Sequence, residues 1–249
     1  MTRSSGAIMF EAVKKQSLSE EVFSQLRERI VSQELKAGDE LPSERVLCEL
    51  LKVNRGAVRE GMKRLQQAGL VQVRHGGATT VLDFQAEAGP ELLANLLLGQ
   101  DGQVQIAVAR DIVRMRQVLS PAIAADAAIR QSSELADKLD ALVEQMQHTQ
   151  ETVHLQYLTF EFWERLVDGT GNIAYRLAMN SLRKAYQPVL QLMTFILEKS
   201  VQDVSAFQAL AGHIRRGETE AAFDCAKTYI DASSEAIYCF LDAYEQGST

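Results

Sequence analysis

Residues 43–82 read SERVLCELLKVNRGAVREGMKRLQQAGLVQVRHGGATTVL, and the order of signals in this stretch decides the fold. Ser43 is placed to cap a short helix whose apolar face is Val46, Leu47, Leu50 and Leu51. Lys52-Val53 breaks that helix. Asn54 then caps another, which turns Val58, Met62 and Leu65 inward and closes at Gly69. Leu70 to Arg74 alternates as a strand does, Ala78 to Leu82 is short and β-branched, and His75-Gly76-Gly77 joins the two as a hairpin. One helix precedes the stretch: Leu18, Val22, Leu26 and Ile30 recur at every fourth position, with Ser19, Glu20 and Glu21 at its start. Gly38-Asp39 and Pro42 end it in a turn. Three helices followed by a β-hairpin make a winged helix-turn-helix.

Outward from this module the pattern changes. Asp83 to Pro90 reads as a linker punctuated by Gly89-Pro90, and beyond it strand signals disappear. Ile106 to Ile129 carries Val108, Ile112, Met115, Leu119, Ile123 and Ala127 at helical spacing, with Pro121 as a candidate kink. Further helices are expected over 133–150, 154–168, 172–198, 203–216 and 218–245, with Gly169, Gly171, Gly212 and Gly217 at ends or close contacts. The chain is therefore mainly α: a winged helix-turn-helix over 1–82 with a small β-hairpin wing, a linker over 83–90, and an all-α helical bundle over 91–249.

The 249 residues are 46% hydrophobic and 24% charged, which excludes disorder of the whole chain and leaves ample material for a core. Charges interrupt every apolar run, so no membrane span is expected, and the first ten residues lack a signal-peptide core. The three cysteines, Cys48, Cys225 and Cys239, have no CxxC spacing. On one helix Cys225 and Cys239 would lie about 21 Å apart, too far for a bridge. These features describe a soluble, cytoplasmic protein with free thiols.

Charge is unevenly spread. Residues 1–80 hold 13 Lys/Arg against 10 Asp/Glu, whereas the remainder holds 13 against 23. A basic segment on an acidic body suits a polyanionic partner, and the helix-turn-helix makes that partner double-stranded DNA. A recognition helix meets base edges with its N-terminal residues, here Asn54, Arg55, Gly56, Ala57 and Arg59. Arg55 and Arg59 share a face, and an arginine fork matches guanine O6 and N7. Gly56 and Ala57 let the backbone approach closely, Ser43 and Arg45 are placed for phosphates, and His75-Gly76-Gly77 can enter a minor groove. The competing reading of each is an ordinary surface residue of a helical domain.

Leu41-Pro42-Ser43-Glu44-Arg45, Asn54-Arg55-Gly56-Ala57-Val58-Arg59-Glu60, Leu65-Gln66-Gln67-Ala68-Gly69-Leu70-Val71 and Arg74-His75-Gly76-Gly77 together resemble the GntR family of bacterial transcription regulators. The all-α remainder resembles the FadR-type subgroup through Arg116-Gln117-Val118-Leu119, Gly171-Asn172 and Arg216-Gly217-Glu218. That resemblance implies a homodimer on a two-fold related operator, repressing or activating transcription, and a helical domain that binds a small organic effector. Many domains of the subgroup hold a metal with an Asp or Asn and three His. The corresponding places here carry Thr159, Trp163, Phe207 and Tyr229, so no metal and no cofactor is expected. His148 and His154 would point to different faces of a helix, and His213 stands among charged residues.

An apolar, aromatic cavity is the expectation at those places, although Trp163 and Phe207 are equally explicable as core. The metal-free pattern is similar to that of fatty-acid-responsive regulators, which bind long-chain acyl-CoA. By that resemblance Tyr229 and Ser233 are effector contacts, with Asn172 at the same site, while Ile230 stands where a glycine would ease entry of a CoA head group. A free fatty acid or a smaller carboxylic acid stays open. Arg116 is the expected partner of an effector carboxylate or phosphate, or else of an internal acid such as Asp126 or Glu164. No GxSxG, Walker, HExxH or GxGxxG motif is present, so the chain is not read as an enzyme. A DNA-binding module whose bundle only dimerises is the other alternative.

Overall fold

The computed structural model describes residues 17–73, 77–99 and 102–247 and divides the chain into two compact units, Met1–Gly89 and Pro90–Thr249. In the first unit, helix α1 (Leu18–Val31) is capped by Ser17, whose hydroxyl accepts from the Glu20 amide; Ser19 lies inside the first turn. The second helix, α2 (Glu44–Leu51), begins at Ser43, and α3 (Arg55–Gln67) begins at Asn54, whose side-chain oxygen accepts from the Ala57 amide at 2.9 Å. A hydrogen-bonded cap of this kind contributes about 1 kcal/mol. Lys52, at φ 54°, supplies the left-handed residue that turns the chain between α2 and α3.

Packing of α1 on α3 forms the core of this unit. Val22, Phe23, Leu26 and Ile30 meet Val58 and Leu65, all buried. Gly61 permits the close approach: a Cβ there would stand 2.7 Å from Val22 Cγ1 and 3.3 Å from the Phe23 amide nitrogen. Arg64 reaches across from α3 to pair with Glu20 and lies over the Phe23 ring at 4.9 Å. Leu50, expected on the inner face of α2, is 66% exposed, while Leu47 alone of that face is buried. An eight-residue helix lying on one neighbour presents only a narrow stripe to it.

Strands β1 (Val71–Val73) and β2 (Thr79–Val81) pair antiparallel, with Val71 opposite Val81. A third segment, not anticipated from the sequence, covers the other edge of β2: the Leu41 amide donates to Thr79 and the Val81 amide to Asp39. The stretch expected as a linker carries one helical turn, α4 (Phe84–Glu87), capped by Asp83.

The second unit holds a 3-10 turn (Pro90–Leu92), α5 (Leu93–Leu96), α6 (Ile106–Arg130), α7 (Ser133–Gln147), α8 (Thr152–Thr170) and α9 (Ile173–Tyr186), then α10 (Leu190–Ile196), α11 (Glu198–Gln202), α12 (Val204–Arg216) and α13 (Thr219–Gly247). The most extensive contact is between α6 and α13, and Ala124, Ala127, Ala222 and Ala226 are fully buried. Small side chains at such positions bring helix axes close. Pro121 lies inside an unbroken α6. The helix expected over 172–198 is instead interrupted by a 3-10 turn (Gln187–Val189), because Pro188 lacks an amide proton and crowds the carbonyl four residues back. No described helix is long and apolar enough to cross a membrane.

Gly61→Val should lower the stability of the first unit by about 1–3 kcal/mol, since a branched side chain overpacks the α1–α3 contact. The loss would appear as an earlier fall in helical circular dichroism on urea titration. An unchanged transition would mean that α1 and α3 are not in this contact.

Candidate functional site

Two sites can be built from these elements, one in each unit. On the first, α2 and α3 expose a set of cations whose acids are close by. Arg59 Nε donates to Glu44 at 2.9 Å, and Arg45 Nη1 donates to Glu49 at 2.6 Å. Both arginines keep about two-thirds of their side-chain surface in water. Exposed pairs of this kind contribute no more than about 1 kcal/mol, so either guanidinium can be handed to a phosphate or a base at little loss. Arg55 is exposed at the first turn of α3.

Asn54 and Ser43 serve as helix caps, and Gly56 leaves room for the Asn54 side chain, since a Cβ there would lie 3.3 Å from its oxygen. Ala57 departs from the expectation of close backbone approach at the surface. It is 8% exposed and turned into the core, because it lies next to Val58 on the side of α3 that faces α1. At the hairpin, Gly77 has φ 94° with open space around it, whereas the predicted contacts His75 and Gly76 lie outside the described residues.

The second site lies within the helical unit. Arg116 on α6 donates from Nη1 to the Ser233 hydroxyl on α13 at 3.0 Å, and among the described residues no carboxylate pairs with it. The internal acids considered for it are engaged elsewhere. Glu164 accepts from Arg176 and lies 4.0 Å from Arg183, while Asp126 bonds the Tyr175 hydroxyl. Burial pushes the Arg116 guanidinium below its ordinary value, opposed by the neighbouring Tyr229 and Tyr186. It nevertheless remains a cation, as arginine does in proteins.

Arg116, Leu182 and Tyr186 form a wall common to two cavities. One, of about 100 Å³, is apolar and is lined by residues such as Val113, Met193, Ile237 and Phe240. The other, of about 80 Å³, is lined by Ser120, Gln156, Thr159, Trp163 and Tyr229 together with Glu164 and Arg183. Gln156, Thr159, Phe160 and Trp163 recur at helical spacing, so α8 turns one face to this chamber. The chamber at the Trp163 position is thus largely apolar and aromatic, with Phe160, Trp163, Leu182, Tyr186 and Tyr229 in its lining, and Gln156 and Thr159 add polar groups on the face that Trp163 presents.

Of the expected effector contacts, Arg116, Trp163, Tyr229 and Ser233 come together here, with Ser233 behind the guanidinium. Phe207 does not line either cavity. It is 1% exposed and packs edge-on against Phe162 and Tyr229, as core. Asn172 is a helix cap, its side-chain oxygen accepting from the Ala174 and Tyr175 amides. Gln156, Thr159 and Tyr186 also line the chamber, although sequence reasoning does not assign them to an effector; the i, i+3, i+7 spacing of Gln156, Thr159 and Trp163 is the available signal. The four places that hold a metal in related domains offer here one hydroxyl, one indole, one phenyl and one phenol. That set does not fit a divalent ion, which needs imidazoles or carboxylates, and no three such groups converge among the described residues.

Comparison with known proteins places both units. Residues 18–81 match the bacterial regulatory proteins of the gntR family, and residues 111–232 match the FCD domain. The HTH-type transcriptional regulator Mce2R of Mycobacterium tuberculosis is 37% identical over 231 residues, covering 93% of this chain and 96% of that one. The fatty acid metabolism regulator protein of Haemophilus influenzae is 27% identical over 214 residues, 84% of this chain and 86% of its own. Among solved structures, Listeria monocytogenes Lar superposes with a TM-score of 0.55 at 15% identity, covering 91% of this chain and 99% of that one, a likeness of fold.

Burial pushes the Tyr229 phenol up to about 12, against the pull of Arg116. A phenol whose folded pKa is raised keeps its proton in the folded state, so its contribution to stability falls as pH rises above the ordinary value of about 10. At about pH 11, where an ordinary phenol is mostly ionised, Tyr229→Phe should lose no phenolate absorbance. Loss of one tyrosine's signal would contradict the buried position.

Proposed function

The chain belongs to the GntR family of bacterial regulatory proteins and carries an FCD effector-binding domain after its DNA-binding domain, and from that premise we propose that a fatty-acyl effector controls its hold on DNA. In this reading a cytoplasmic homodimer binds a two-fold related operator, and the effector is a long-chain acyl-CoA or a fatty acid. The observation that carries the effector half is Arg116: a guanidinium inside the bundle, given one hydroxyl and, among the described residues, no carboxylate, beside an apolar cavity. A buried arginine calls for an anion, and the cavity calls for an aliphatic chain. The fatty acid metabolism regulators among the relatives agree with this chemistry.

On the DNA side, Arg55 and Arg59 read base edges in the major groove, while Arg45 and the amides opened by Ser43 hold phosphates. Asn54 and Gly56 set the start of the recognition helix, Ala57 supports it from inside, and His75, Gly76 and Gly77 form the wing contact. Effector binding must favour the form with low DNA affinity. Moving operator occupancy from 99:1 to 1:99 requires a preference of about 5.5 kcal/mol.

Cavity size favours a second reading of the effector. An engineered cavity of about 150 Å³ holds benzene, and the two chambers here are about 100 and 80 Å³. A small carboxylic acid fits them as they stand, whereas a long chain must part the walls.

An operator selected from random duplexes, followed by fluorescence anisotropy with acyl-CoA, fatty acids and short organic acids, tests the proposal. Release by one of these ligands, with no effect of free CoA, is expected. Tight binding indifferent to all of them would overturn the effector half, and failure to select any operator would overturn the rest. Arg55→Ala should weaken operator binding by about 1–3 kcal/mol, the contribution of a bidentate arginine–guanine contact. Arg116→Ala should retain operator binding and blunt release; a normal dose response would make Arg116 structural.

A further inference from the structure

Among the described residues, four buried polar atoms of side chains that line the smaller chamber have no hydrogen-bond partner: Gln156 Oε1, Thr159 Oγ1, Trp163 Nε1 and Tyr186 OH. Gln156, Thr159 and Trp163 are 3%, 6% and 7% exposed. Buried polar groups in native proteins are nearly always bonded, and each orphan asks what it is meant to meet. The four side chains that carry them line one space of about 80 Å³ together with Arg116, so a single group that draws these atoms toward it could answer them. The remaining charges at the chamber are already matched, because Glu164 is held by Arg176 and faces Arg183.

The chemistry of the set narrows the occupant. An indole N–H only donates, a guanidinium only donates, and the hydroxyls of Thr159 and Tyr186 can donate. Four donors around one small space require an acceptor with several lone pairs, and the fixed positive charge of Arg116 requires that acceptor to be an anion. An ionised carboxylate accepts at about four lone-pair positions and fits both demands. A thioester or ester offers one carbonyl oxygen for the same donors and no charge for Arg116. Because Arg116, Leu182 and Tyr186 line both spaces, a tail attached to this carboxylate enters the apolar cavity by parting that shared wall.

We infer that the chamber under Arg116 receives a free, unesterified carboxylate, the head of an aliphatic monocarboxylic acid whose tail lies in the neighbouring apolar cavity. This rests on the effector reading above and selects, within it, the free acid over its CoA thioester. Arg116, Trp163, Thr159 and Tyr186 donate to the carboxylate, and Gln156 turns its amide to a remaining oxygen or to a water that enters with it.

Trp163 is the chain's single tryptophan, so its fluorescence reports on this chamber without DNA. The full-length protein is titrated with octanoate, methyl octanoate and octanoyl-CoA, and with butanoate and palmitate to allow for tail length. A saturable change in Trp163 emission is expected with a free acid, with the methyl ester and the thioester of that acid at least tenfold weaker. Arg116→Gln should weaken the acid at least tenfold. Tyr186→Phe, which removes one hydroxyl and keeps the ring, should weaken it several-fold with an unchanged circular dichroism spectrum. Ester or thioester binding as tightly as the free acid overturns the inference, as does an Arg116→Gln variant that folds and binds the acid normally. The same outcome follows if no free acid binds while octanoyl-CoA or palmitoyl-CoA releases operator, in which case the broader effector reading survives. Operator binding that no acid and no acyl-CoA alters would remove that broader reading instead.

Discussion

A guanidinium carried into a helical bundle keeps its charge, and the fold must supply an anion or enough dipoles to stand in for the water it has lost. In this chain the longest intramolecular contact, α6 against α13, carries Arg116 inward and gives it the Ser233 hydroxyl at 3.0 Å. Gln117 is tied to Asp231 and Tyr238 one position further along α6, so the pair of helices is fixed on both sides of the guanidinium. Arg116 therefore has little freedom to swing out to solvent. What surrounds it follows from that constraint: two phenols held protonated by burial, a polar face of α8, and an apolar space behind Leu182.

The DNA-binding unit is organised by a different rule, in which function is kept at the surface and stability underneath. Gly61 brings α1 and α3 together, and the caps Ser43 and Asn54 fix where α2 and α3 begin. The arginines that meet DNA in our proposal are left in weak, exposed pairs with Glu44 and Glu49. Such pairs hold the guanidinium groups near the surface of α2 and α3 and exchange readily for a stronger anion. In our proposal, occupancy of one unit alters the affinity of the other by a coupling free energy that acts equally in both directions.

Local chemistry was legible in the sequence, and long-range pairing was not. Ser43 and Asn54 could be read as caps because a short polar side chain before a periodic apolar run has few other uses. The first helix begins at Leu18 as its periodicity indicates, but its cap is Ser17 and not Ser19, since the two offer the same chemistry and only the backbone distinguishes them. The exposed Leu50 and the edge pairing of Leu41 and Asp39 with β2 depend on what lies opposite, which periodicity does not encode. In the helical unit, Arg116, Trp163 and Tyr229 line one chamber and Ser233 bonds Arg116, while Asn172 is a cap and Phe207 core. Gln156 and Tyr186 are not legible as chamber residues for a physical reason: a polar residue in a helical pattern looks like surface until its burial is known.

Coupling between the Arg116 site and the operator can be measured from both ends. Operator affinity with and without saturating acid, and acid affinity with and without saturating operator, should change by the same factor. Equal reductions of at least tenfold in the two titrations are the predicted result. Acid binding at Trp163 that leaves operator affinity unchanged would contradict the account, because the site would then be a cavity with a ligand and no hold on transcription.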